Sequence, residues 1–121
     1  MRDDTKEERN NALQVLVSTL RRCENIQPKF TEGTPQHSLL RNRIKALTIA
    51  KSLLLNESVS DSYTKEDLLK ALPPLSSIIS KCEKAQRKFT EGTPHYRRFQ
   101  KMITAVRFSE TLILDEIDRN G

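Results

Sequence analysis

The chain has 121 residues, a formal net charge of +5 and only three glycines. This length suits a single domain with a modest core, and the abundance of Leu, Lys, Arg, Glu and Ala favours helices over strands. Short apolar runs interrupted by Lys and Arg exclude a membrane span, and the charged first ten residues exclude a signal peptide, so we expect a cytoplasmic protein.

The first predicted helix covers about residues 4–27. Asp4 and Glu7 have the spacing of a capping box at its start, and Pro28 ends it because the residue before a proline avoids helical backbone angles. Hydrophobic residues recur at the helical period along this segment. Those expected to face the core are Ala12, Leu13, Leu16, Val17, Leu20 and Cys23.

The second predicted helix covers about residues 35–56. Thr34 is expected to be its N-cap and Pro35 its first residue, since the Thr hydroxyl accepts a bond from a free backbone N–H and Pro has no N–H to leave unpaired. A polar linker, residues 57–63, follows the helix. The predicted core positions are Leu39, Leu40, Ile44, Ala46, Leu47, Ala50, Leu53 and Leu54.

The third predicted helix covers about residues 64–87 and begins with capping-box spacing at Thr64 and Asp67. Pro73 and Pro74 lie inside it, and we expect a kink or a short break there because proline removes a backbone donor and crowds the preceding turn. The predicted core positions are Leu68, Leu72, Leu75, Ile79 and Cys82.

The fourth predicted helix covers about residues 94–118. Thr93 and Pro94 begin it in the way that Thr34 and Pro35 begin the second helix, and its end is expected to fray from Asp115 onward. Its predicted core positions are Phe99, Met102, Ile103, Val106, Leu112 and Ile113.

An internal repeat organises the chain. The seven residues Lys29–Pro35 recur unchanged as Lys88–Pro94, 59 positions later, and the similarity extends into the flanking helices. Two tandem helical hairpins predict an all-α, antiparallel four-helix bundle with both repeated loops at one end. The domain is therefore single, with repeat one over about 4–56 and repeat two over about 64–118.

The repeated loop has a structural and a functional interpretation. Turn geometry accounts for Gly33, for the Thr34 cap and for Phe30 as a plug on the bundle end. It does not account for Lys29 or Glu32, which both copies retain although exposed helix positions differ freely. Either a salt bridge or hydrogen bond holds the loop, or the loop contacts a partner.

Our main hypothesis is a non-enzymatic binding protein whose loops capture an anion. Two helices begin at this end, so free N–H groups, basic side chains and hydroxyls converge there, and a phosphate-bearing small molecule would bind them. A ligand with two-fold symmetry would match the repeat. The candidate ligand-binding residues are Lys29, Thr31, Thr34, His37, Arg41, Lys88, Thr90, Thr93, His95, Tyr96 and Arg97.

Two alternatives remain open. The first is a protein-interaction module or inhibitor that uses the same end or a helix face. The second is nucleic-acid binding, which rests on net charge alone, since the predicted helices are too long for a helix-turn-helix. We expect no enzyme, because no nucleophile has a base beside it, and no metal or cofactor, because the Cys and His spacing is wrong. A homodimer could bury Leu39, Leu55, Val59 and Phe108.

The segment Lys29–Leu47 resembles one found in small uncharacterised helical proteins of Gram-positive bacteria and their phages. The resemblance covers one repeat. It implies no particular activity, although a phage association would favour a small protein that blocks or sequesters a host component.

Overall fold

The computed structural model describes residues 6–120 and shows an all-α four-helix bundle, as the sequence predicts. Within this range the helices are α1 (Lys6–Ile26), α2 (Pro35–Leu54), α3 (Lys65–Gln86) and α4 (Pro94–Asn120). A short 3-10 turn, Gln27–Lys29, extends α1 toward the first loop. The capping box predicted at Asp4 lies outside the described residues.

Consecutive helices run antiparallel. Arg9, near the start of α1, donates to the carbonyl oxygens of Leu53 and Leu54 at the end of α2. Gln86, the last residue of α3, donates a hydrogen bond to the side chain of Gln100 in the second turn of α4. Both repeated loops therefore lie at one end of the bundle, and the linker between the repeats lies at the other.

The four helices do not form a square. α1 and α3 each pack on both α2 and α4, and α2 contacts α4 across the bundle. The Cα atoms of α1 and α3 stay more than 8 Å apart throughout. α2 and α4 are therefore the central pair, while α1 and α3 lie on opposite sides of it.

The core contains most of the residues that the helical period predicts to face inward. Leu16, Leu47, Leu75 and Ile113 are fully buried, so the helical period placed them correctly. The prediction that Leu39 faces inward is wrong, because this residue is 41% exposed. Several residues that the fold buries were not among the predicted core positions, namely Ile49, Ala71, Ile78, Ala105 and Ile117.

The short break predicted in α3 is wrong, and the alternative, a kink, stays a prediction. The helix runs without interruption through Pro73 and Pro74. Each proline removes the bond to the carbonyl four residues earlier, at Leu69 and Lys70, and both of these residues are exposed. Water can therefore take the place of the missing backbone donors, and the buried side of the helix keeps its packing.

The helix ends also differ slightly from prediction. α4 continues to Asn120 instead of fraying from Asp115, whereas α2 ends at Leu54. The capping box of α3 is confirmed, since Thr64 and Asp67 exchange bonds of 2.9 and 3.1 Å between backbone N–H and side-chain oxygen. Across the described residues, no helix is both long and apolar enough to cross a membrane.

Candidate functional site

The two repeated turns are built by the same hydrogen bonds. In the first, the Thr34 hydroxyl donates to the Thr31 carbonyl at 2.7 Å and accepts the His37 backbone N–H at 3.3 Å. In the second, the Thr93 hydroxyl donates to the Thr90 carbonyl at 2.8 Å. The predicted N-caps of α2 and α4 are therefore confirmed, and each Thr joins its turn to the following helix.

Glycine is required in both turns by the backbone angle. Gly33 and Gly92 each have a φ of 91°, in a region that residues with a Cβ rarely adopt. A Cβ at either position would meet no atom within 4 Å, so space is not the constraint. Turn geometry thus explains Gly, Thr and Pro of the repeated string.

Lys and Glu of the string have no such explanation. Lys29, Glu32, Lys88 and Glu91 are all exposed, and their side chains form no ion pair or hydrogen bond within residues 6–120. Within this range, the hydrogen bonds that hold the turns come from Thr34 and Thr93 and not from these four side chains. Thr31 and Thr90 likewise serve the turn only through their backbone carbonyl oxygens.

The two phenylalanines are only partial plugs. Phe30 is 38% exposed and Phe89 is 37% exposed, so neither closes the bundle end as expected. Phe89 stacks on His95 and Phe99, with ring centroids 4.8 and 6.0 Å apart. Repeat one has Gln36 and Leu40 at the positions of these two partners, and the aromatic stack is therefore a property of the second loop alone.

The remaining predicted site residues differ in their surroundings. Arg41 is exposed on α2, and His37 is half-buried with an Nδ1 atom that is enclosed and has no partner in the described chain. Tyr96 is half-buried, and its carbonyl accepts a bond from Gln86 at 3.2 Å. Arg97 lines a groove that includes none of the other predicted residues.

This groove, which the sequence analysis missed, runs along α1 and α4 and has a volume of about 760 Å³. Its floor is apolar and its rim is mostly polar or charged. The floor includes Ala12, Val15, Ile103, Ala105 and Phe108, and the rim includes Glu8, Asn11, Arg97, Lys101 and Arg107. The signal in the sequence was a pair of basic residues one helical turn apart on α4, Arg97 and Lys101.

The cysteines form no disulfide. Cys23 on α1 and Cys82 on α3 are free, and the separation of these helices exceeds the Cα distance that a disulfide spans. Burial raises the pKa of both thiols, and the nearby Arg43 guanidinium opposes this rise. The Nε and Nη2 atoms of Arg43 are enclosed without a partner in the described chain.

Among residues 6–120, no group of three or more metal-ligating side chains occurs.

No family model matches this chain, and neither the curated proteins nor the solved structures include a significant match.

Proposed function

We propose that this chain is a non-enzymatic binding protein whose two repeated loops contact a partner protein. One observation carries the proposal: both loops retain Lys and Glu side chains that the fold does not use. Lys29 and Lys88 are exposed and have no ion pair in the described chain, and the same holds for Glu32 and Glu91.

The chemistry of the loops favours a protein over a small anion. Each loop presents a cation, a carboxylate and a partly exposed aromatic ring within four residues, from Lys29 to Glu32 and from Lys88 to Glu91. Mixed charges around an aromatic side chain are typical of protein interfaces. The carboxylates would repel a phosphate, so they argue against a site made only for anions.

An anionic small molecule is a second candidate. The observation that favours it is the presence of an exposed lysine in each loop that leads into the N-terminus of α2 or α4. The Thr34 and Thr93 hydroxyls already accept the N–H groups of His37 and Tyr96, which leaves fewer free donors for such a ligand.

The test is the double variant Lys29→Ala/Lys88→Ala. We expect it to fold normally, with a change in stability within about 0.5 kcal/mol, because exposed lysines contribute little. A partner is first recovered by chemical crosslinking to the wild-type chain. The double variant should not crosslink to this partner, and calorimetry with the purified partner should show no binding. The matched control is Lys6→Ala/Lys65→Ala, since these lysines are also exposed and related by the repeat.

Two results would contradict the proposal. A melting temperature several degrees lower would show that the lysines hold the fold, and undiminished partner binding would place the site elsewhere. The small-anion candidate is tested with inorganic phosphate and nucleotides in a thermal-shift assay. A shift that disappears in Lys29→Ala/Lys88→Ala would favour it, because ligand binding to the folded state raises stability by mass action.

A further inference from the structure

The groove between α1 and α4 has a counterpart elsewhere in the bundle. Shifting by 59 positions relates it to the interface between α3 and α2. There, Lys45 Nζ of α2 lies 2.9 Å from the Asp67 carboxylate of α3 and bridges the two helices. At the groove the equivalent residues are Thr104 and Glu8.

Thr104 cannot replace Lys45 in that bridge. Its side chain is short, and its hydroxyl is directed along its own helix, where it lies 3.4 Å from Gln100 Nε2. The repeat thus places two equivalent helix pairs in one molecule, one bridged by a lysine and one without that lysine. The loss of the lysine accompanies an open groove.

The groove has the chemistry of a helix-binding surface. Phe108 and Ile103 are about 5% exposed and form part of an apolar floor, while Val15 is half-buried. The lining residues of α4 extend from Arg97 to Thr111, a length of roughly 21 Å at the rise of an α-helix. A partner helix of about four turns would match this length.

The rim of the groove is positively charged. Arg97 and Lys101 are exposed one turn apart on α4, and neither pairs with a carboxylate in the described chain. Their equivalents in repeat one are the uncharged Ser38 and Asn42. The third rim cation, Arg107, is bonded to Glu83 of α3 at 2.6 Å and is already neutralised. Two cations are therefore left for a partner.

We propose that this groove docks an amphipathic helix of a partner protein, with acidic residues along one edge of its apolar face. The apolar floor favours a helix over nucleic acid, whose phosphates gain nothing from buried hydrocarbon. The unpaired Arg97 and Lys101 select acidic over basic helices, because like charges at an interface oppose binding. This surface is separate from the repeated loops, and the proposal does not depend on their function.

The test uses two synthetic 15-residue peptides with capped termini. Both carry leucine at every third or fourth position, and one has glutamate along its flanks where the other has lysine. Fluorescence anisotropy should show the glutamate peptide binding at least about tenfold more tightly to the full chain. Arg97→Glu/Lys101→Glu should weaken that binding by about tenfold or more at low salt, and high salt should narrow the difference from the wild type because it screens exposed charges.

The matched control is Lys81→Glu/Arg98→Glu, which changes the net charge equally at two exposed cations outside the groove. It should keep the dissociation constant within about twofold, and circular dichroism should show both variants folded. Equal binding of the two peptides, or full binding by Arg97→Glu/Lys101→Glu, overturns the proposal. The proposal is also overturned if a DNA duplex binds more tightly than the glutamate peptide. The same holds if sedimentation shows a homodimer that dissociates in Arg97→Glu/Lys101→Glu, since either result assigns the groove to another occupant.

Discussion

The α2–α3 interface and the α1–α4 groove occupy equivalent places in the two repeats, but the second has no lysine at the position that bridges the first. Lys45 and Asp67 lie 2.9 Å apart across α2 and α3, whereas Thr104 stands at the lysine position of α4. The buried positions on both sides match, since Ala46 corresponds to Ala105 and Ile49 to Phe108. Equivalent cores can therefore support surfaces with different uses.

The two turns show the same division. Their backbone and threonine bonds agree within about 0.1 Å, and both glycines have the same φ. Their aromatic surroundings differ, because only Phe89 has a histidine and a second phenylalanine to stack on. The repeat preserves what the turn requires and varies what surrounds it.

The largest expected effect on stability comes from the feature that the turns share. Gly33→Val and Gly92→Val should each destabilise the fold by about 1–3 kcal/mol, because valine at positive φ is strained although space is open. Urea unfolding of the single variants measures this loss. The matched variants Gly33→Asn and Gly92→Asn should lose less, since Asn tolerates positive φ better. Equal losses for Val and Asn would contradict a backbone origin.

The second effect tests the difference between the turns. Phe89→Ala should cost about 1 kcal/mol more than Phe30→Ala, because aromatic pairs contribute beyond the area that they bury. The two rings have nearly the same exposure, so each variant serves as the other's control. Equal losses in urea unfolding would show that the stack adds nothing.

The third effect is a pH dependence confined to the bridged interface. A hydrogen bond from Lys45, together with one from the Thr64 backbone N–H, lowers the pKa of Asp67 from its ordinary 3.8 to about 2. A lowered folded-state pKa gives stability that is present above about pH 4 and is lost as the pH falls toward 2. Asp67→Asn should therefore be less stable than the wild type at pH 6, and the gap should close near pH 2.

Lys45→Met provides the control for this pH dependence. Without the lysine, the largest cause of the lowered Asp67 pKa is absent, so the loss of stability between pH 4 and 2 should shrink. Thermal unfolding at a series of pH values measures it. An unchanged acid profile in Lys45→Met would assign the effect to other carboxylates.

The smallest expected effect on stability comes from copying the lysine of the bridge into the groove. Thr104→Lys places a lysine where Lys45 stands in the other repeat and should change stability by less than about 1 kcal/mol. It should nevertheless weaken binding of the glutamate peptide, because a long side chain at this lining position would narrow the groove. Thr104→Ser is the matched control. Tighter binding by Thr104→Lys would show that charge alone controls the groove.

Local rules predicted the helices and their caps. The starts of α2, α3 and α4 follow from Thr-Pro or capping-box residues, and these contacts depend only on neighbours three positions away. The same rules misjudged Pro73 and Pro74, because a helix tolerates proline where the freed carbonyls face solvent. That condition depends on which side of α3 packs on the bundle.

The sequence also did not predict which residues are buried at the edges of the bundle. Leu39 and Leu55 are exposed as the homodimer hypothesis expected, but Val59 and Phe108 are only 2% and 5% exposed and are not the exposed patches that it expected. The homodimer itself stays a prediction. Val59 lies in the linker, where its carbonyl accepts the N–H groups of Ser62 and Tyr63, and no periodic pattern indicates its burial.

The sequence by itself determined the repeat, the four helices, the caps and the shared turns, because each of these rests on contacts between residues close in the chain. Only the tertiary structure decided that α1 and α4 leave a groove, and that Lys29, Lys88, Arg97 and Lys101 form no ion pair within residues 6–120. These features depend on helices far apart in sequence, whose relative positions are set by packing across the whole bundle.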